Sequence, residues 1–141
     1  MKITEVNMNL ITVPQGWYIA HAISADLNFK VGLPAVMDRV YHIEQRMKKI
    51  FDEDEIKPGY TFQLGNLFNL VVKDSTYDAP DIDSLMDALV EMRDYLEDEE
   101  ADRLAIPKLC CGRNGLEWEE VLETIKFVFE DSNIEIMVCI Q

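Results

Sequence analysis

The chain has 141 residues, with 27 acidic side chains against 13 basic ones and a net charge of −14. That balance argues against a nucleic-acid backbone or an anionic membrane surface as partner, because both call for clustered Lys and Arg. A composition of 48% hydrophobic and 28% charged residues is that of a globular protein, and the length suits one domain over 1–141 with its own core.

Residues 2–6 and 10–13 read as short extended segments. "WYIAHAI" (17–23) is a continuous apolar run, the mark of a strand covered on both faces. After the polar loop "SADLNFKVG", Leu33, Val36, Met37, Val40, Ile43, Met47 and Ile50 recur at three- and four-residue spacing. This predicts one helix over about 33 to 52. "KPGY" (57–60) is a turn, and "TFQLGNLFNLVV" reads as two strands around Gly65-Asn66, a favoured hairpin pair. A helix opens near Asp81 and turns Ile82, Leu85, Met86, Leu89 and Leu96 inward; the polar "DYLEDEEADR" (94–103) ends it. "RLAIPKL" is a short buried strand. A last helix over about 116 to 131 buries Leu116, Val121, Leu122, Ile125 and Val128, and "IEIMVCI" (134–140) closes the chain as a strand. Strands and helices that interleave, with one hairpin among them, predict a three-layer α/β fold with a mixed central sheet flanked by helices.

Three cysteines, two of them adjacent, and two histidines without ligand spacing build neither a disulfide framework nor a metal site. No metal or cofactor is expected. The N-terminus lacks the apolar core of a secretory signal, and no apolar run approaches the roughly 20 residues of a membrane span. These features read together as a cytoplasmic protein.

In open α/β sheets, ligands bind beyond the carboxyl ends of strands. Three loops leave such ends: Ser24 to Gly32, Lys73 to Tyr77, and Cys110 to Gly115. The first and third lead into helices, whose first N–H groups can hold an anion. By pattern alone, ordinary strand-to-helix turns explain these loops as well as a ligand site does.

"IAHAIS" followed by "GLPAVM", then "VVK", then "IPKLCCGRNGLEWEEV" resembles the macrodomain family over nearly the whole chain. The likeness is closest to the branch of terminal ADP-ribose glycohydrolases that act on ADP-ribosylated acidic residues. The resemblance implies a macrodomain-like fold, ADP-ribose or a related nucleotide as ligand, and an ADP-ribosylated protein as a further partner. It also implies a set of site residues. Asn9 falls where the family keeps an adenine-binding aspartate. His21, Ile23, Ser24 and Asp26 match the first ligand loop, Gly32 matches a glycine of the phosphate-facing turn, and Leu33 follows it as a further ligand-binding residue. Lys73 matches the branch's nucleophilic lysine. Cys110, Cys111, Gly112, Arg113 and Asn114 form the last loop, ahead of Leu116 and Trp118.

The departures from that pattern carry chemical weight. Asn114 stands where the branch has its catalytic aspartate. A lysine nucleophile attacking the distal ribose needs a partner that moves protons, and an amide does not titrate near neutral pH. Losing such a group costs about 10²- to 10⁴-fold in rate. Asn9 retains an acceptor oxygen but loses the charge. Met8, Lys30, Val31, Pro34 and Cys110 replace other residues of the family loops, Lys30 reading as a solvated surface charge. His21, inside an apolar strand, reads as a satisfied core histidine, and Trp118 as packing. Three readings follow: a binder of ADP-ribose with weak or no hydrolytic activity, an ADP-ribosyl hydrolase working through Lys73 with Asp26 or Asp74 as proton carrier, and a macrodomain-shaped interaction protein without a nucleotide site.

Overall fold

A computed structural model describes residues 1–141. It contains strands β1 (Lys2–Val6), β2 (Tyr18–Ser24), β3 (Thr61–Leu64), β4 (Leu67–Lys73), β5 (Arg103–Ile106) and β6 (Glu135–Cys139). The helices are α1 (Gly32–Tyr41), α2 (Ile43–Ile50), α3 (Ile82–Asp98) and α4 (Trp118–Val128). The six strands form one sheet in the order β1-β6-β5-β2-β4-β3. Every pairing is parallel except the β3–β4 hairpin, which turns at Gly65-Asn66 with Gly65 at φ +61°. No helix is long and apolar enough to cross a membrane.

Strand alternation explains the three layers. Phe68, Leu70 and Val72 of β4, Leu104 and Ile106 of β5, and Ile136 and Val138 of β6 pack against α3 and α4. The intervening Leu67, Val71, Ala105, Met137 and Cys139 face Met37 of α1 and Ile43 and Met47 of α2. Both sheet faces are therefore covered, and the central strands read as unbroken apolar runs for that reason. Two polar residues interrupt the second face. His21 and Asn69 sit opposite each other in the β2–β4 register, both fully buried, with His21 Nε2 2.6 Å from Asn69 Oδ1. Asn69 Nδ2 donates onward to the Phe62 carbonyl at 3.1 Å. This fits a core role for His21, although its Nδ1 has no partner.

The structure departs from the sequence expectation in four places. Residues 10–12 form a 3₁₀ turn, not an extended segment, because Asn9 Oδ1 accepts from the Ile11 N–H at 3.1 Å and winds the chain. The helix expected over 33 to 52 is two helices. His42 adopts a left-handed conformation, φ +53°, and Asp38 Oδ1 accepts from the Glu44 N–H at 2.9 Å to start α2. The break changes the helical phase, so Val40 and Ile50 point outward at 48% and 59% exposure. Met86, expected inward, is exposed on α3. The last helix is shorter than expected: Leu116 belongs to the preceding turn, and α4 begins at Trp118.

Candidate functional site

Beyond the carboxyl ends of β2, β4 and β5 lies a cleft of about 650 Å³, bounded by all three predicted loops. The first loop leaves β2 at Ser24 and ends at Gly32, whose φ of +66° is of the kind glycine adopts without strain. Val31, the residue before α1, gives that helix no side-chain cap. The first turn of α1 is thus left with N–H groups for an external acceptor.

The third loop is a tight turn closed by its own backbone. The Leu116 N–H donates to the Cys110 carbonyl at 2.7 Å, and the Gly115 N–H to the Gly112 carbonyl at 2.9 Å. Cys110 and Asn114 both adopt left-handed backbone, φ +62° and +57°. Gly115 is required sterically, because a Cβ there would overlap the Cys110 carbonyl oxygen. The amides of Gly112, Arg113 and Asn114 donate to no protein acceptor.

The second loop holds Lys73 at the end of β4. Its Nζ donates to the Thr76 carbonyl at 2.7 Å, and the residue lines the cleft. Loops one and two are joined through Asp26. Its carboxylate accepts from Ser24 Oγ at 2.6 Å, the Asn28 N–H at 3.1 Å and the Thr76 N–H at 3.0 Å. Partial burial works against the Asp26 carboxylate, but these hydrogen bonds outweigh it and hold its pKa below the ordinary value.

Of the residues singled out in the sequence, Ser24, Gly32, Leu33, Lys73, Cys110, Cys111, Gly112 and Arg113 line this cleft. Asn9, His21, Asp26 and Asn114 do not. Asn9 spends its side-chain carbonyl oxygen on the 3₁₀ turn, His21 is sealed beneath the sheet surface, and Asn114 is an exposed residue of the turn. Lys30 is exposed and lies outside the wall, as a surface lysine should.

Sequence reasoning missed Lys108, and it located the loops that carry Asn28, Thr76 and Tyr77 without singling those residues out. Lys108 stands immediately before the turn, close over the Trp118 ring at 5.7 Å, and Tyr77 is 83% exposed at the cleft mouth. Their positions in the sequence carry no signal beyond that of surface loop residues. Trp118 itself is half-buried and donates Nε1–H to Glu5 at 3.2 Å, so it ties α4 to β1.

The charge of the cleft is unlike that of the chain. Its wall carries Lys73, Lys108 and Arg113 and no Asp or Glu, in a molecule with 27 acidic residues. A second groove, of about 700 Å³, runs along the outer edge of β3. It carries Asp54, Glu55 and Glu91 against Lys57 alone, the wrong sign for an anion. Burial pushes the Cys110 thiol up to about 12, with neighbouring Cys111 adding and Lys73 partly offsetting; Cys111 is also raised, chiefly by burial. Both thiols stay protonated at neutral pH, which disfavours nucleophilic or redox chemistry at this pair.

No family model matches the chain. It is 26% identical to the human ADP-ribose glycohydrolase OARD1 over 97% of this chain and 90% of that protein. Its structure is similar to the macrodomain of Thermus aquaticus DarG, with a TM-score of 0.85 at 19% identity, covering 99% of this chain and 98% of that one. It is also similar to Thermosipho africanus DarTG in complex with ADP-ribose, with a TM-score of 0.77 at 16% identity, over 99% of this chain and 42% of that one. A six-stranded mixed sheet between two helical layers, superposable on a macrodomain along almost its whole length, gives this chain the macrodomain fold.

Proposed function

We propose that residues 1–141 act as a single macrodomain-like domain that binds ADP-ribose or a related ADP-ribosyl nucleotide, its pyrophosphate against the loops at 29–34 and 109–115. The observation that carries this reading is the cationic cleft in an acidic protein. Low-dielectric walls that bear one sign of charge concentrate the opposite sign in solution. The uncapped start of α1 and the free amides of Gly112 and Arg113 add donors suited to phosphate oxygens. The relatives support the choice of nucleotide: one is named as an ADP-ribose glycohydrolase, and one solved structure is a complex with ADP-ribose. Amide chemical-shift mapping with ADP-ribose tests the placement. Shifts confined to 23–34, 72–77 and 107–115 are expected, and shifts clustered along β3 would place the ligand elsewhere.

Binding with weak or no turnover is the preferred activity. Lys73 lines the cleft, but Asn114 has no titratable proton and the Asp26 carboxylate is committed to hydrogen bonds within the protein. Hydrolysis of an ADP-ribosylated acidic side chain is the second reading, favoured by the cleft position of Lys73 and by the named activity of the human relative. Asn114→Asp should raise that turnover, and adding Lys73→Ala should remove the gain. Robust turnover by the unaltered chain, indifferent to both changes, would assign the chemistry to other residues. An ADP-ribosylated protein is the natural macromolecular partner under either reading.

A further inference from the structure

The Lys73 side chain is a long, flexible stem, yet its ammonium is held in place by a chain of hydrogen bonds that begins on another loop. Lys73 Nζ donates to the Thr76 carbonyl at 2.7 Å. The Thr76 N–H donates to Asp26 Oδ2 at 3.0 Å, and its hydroxyl lies 3.2 Å from each Asp26 oxygen. Asp26 Oδ1 is fixed in turn by the buried Ser24 hydroxyl at 2.6 Å and the Asn28 N–H at 3.1 Å. Two backbone bonds run alongside, from the Ala25 N–H to the Lys73 carbonyl at 2.9 Å and from the Asp26 N–H to the Asp74 carbonyl at 3.0 Å. They carry the β2–β4 pairing past the register shift at Ile23/Ser24.

We propose that Asp26 and Thr76 are positioning residues, which lock loops one and two together so that Lys73 presents its ammonium to an anionic ligand in the cleft. An ammonium has three donors. One is spent on Thr76, which sets the direction of the remaining two. The Asp26 carboxylate lies outside the cleft wall and has both oxygens engaged, so it acts through Thr76 and Lys73 and not on the ligand. Fixing a cation before the ligand arrives reduces the ordering that binding must impose. The inference rests on the reading of the cleft as an anion site and adds to it the device that orients its central cation.

The sign of one substitution separates positioning from simple electrostatics. Asp26→Asn removes a negative charge from beside a cationic cleft, so charge alone predicts tighter binding of ADP-ribose. Positioning predicts the opposite, because an amide has one acceptor oxygen and cannot accept from both the Asn28 and the Thr76 N–H, so the lock loses one of its two backbone bonds. The expected loss is about tenfold in affinity, within the range of coupled neighbouring groups. In a Lys73→Met background the same substitution should change affinity less than about twofold, since there is no ammonium left to position. Thr76→Val should weaken binding and Thr76→Ser should restore it.

A measurement without ligand keeps failure of the lock distinct from failure of the ADP-ribose reading. Acylation of Lys73 by an amine-selective reagent, followed by peptide mass spectrometry, should run several-fold faster in Asp26→Asn than in the unaltered chain. Faster labelling with no ADP-ribose binding in the parent would leave the lock standing and remove the nucleotide. Unchanged labelling, tighter binding, or equal losses with and without the Lys73 ammonium would overturn the proposal.

Discussion

Lowering the pH from about 7.5 to about 5 should destabilise the fold through His21. The imidazole is fully buried between the sheet and α1–α2, and its pKa is lowered from 6.5 to about 4, chiefly by burial and partly offset by the bond to Asn69. Its Nε2 faces Asn69 Oδ1 at 2.6 Å, so Nε2 carries the proton and a second one must go to Nδ1, which has no partner. In the unfolded chain the group titrates near its ordinary value. Between the two pKa values the unfolded state binds more protons, and stability falls as pH falls. The contribution is fully present above about 6.5 and is lost progressively toward about 4. At about 1.4 kcal/mol per pKa unit, the loss between pH 7.5 and pH 5 is about 2 kcal/mol. Asp26, whose pKa is depressed, stabilises throughout this window and gives way only below the ordinary carboxylate value of 3.8. Urea unfolding followed by the fluorescence of Trp17 and Trp118 reads the difference, as a midpoint lowered by about 1 M. His21→Leu combined with Asn69→Leu removes both polar partners and should flatten the dependence. A midpoint unmoved in the parent chain, or moved equally in the double variant, would refute the assignment.

The third loop offers two further tests. Gly115→Ala places a Cβ against the Cys110 carbonyl oxygen, so the turn must open. A stability loss of about 1–3 kcal/mol in thermal melts, together with weakened ADP-ribose binding, is expected, and a neutral result would contradict the closed geometry. Cys110→Gly removes a left-handed non-glycine residue and a thiol from the cleft wall. Relief of backbone strain and lost packing should leave stability within about 1 kcal/mol, while ADP-ribose binds more tightly. Weaker binding would show that the thiol contributes a contact and does not occlude.

The sheet was the most legible part of the molecule. The runs at 17–23, 61–72 and 134–140 are apolar because both faces are covered, and Gly65-Asn66 and Asp81 mark a turn and a helix start by their own chemistry. The split between α1 and α2 was hidden. Apolar spacing continues across His42, and the change of phase shows only in the left-handed backbone of His42 and the Asp38-to-Glu44 bond. Three cleft loops could be located from strand ends, yet not all their side chains could be sorted. Whether Asp26 faces a ligand or Thr76 depends on bringing together residues 50 positions apart. Lys108 was missed, and Tyr77 was not singled out within its loop, for a related reason, since a solvated surface residue and a cleft residue look alike in a loop.

Titration calorimetry with ADP-ribose tests the central claim most directly. Saturable heat with a dissociation constant in the micromolar to low-millimolar range is expected, equivalent to about 4 to 8 kcal/mol. Affinity should fall with added salt and in variants neutralised at Lys73, Lys108 or Arg113, because those cations supply the cleft's charge. No heat and no competition at millimolar ADP-ribose would contradict the account.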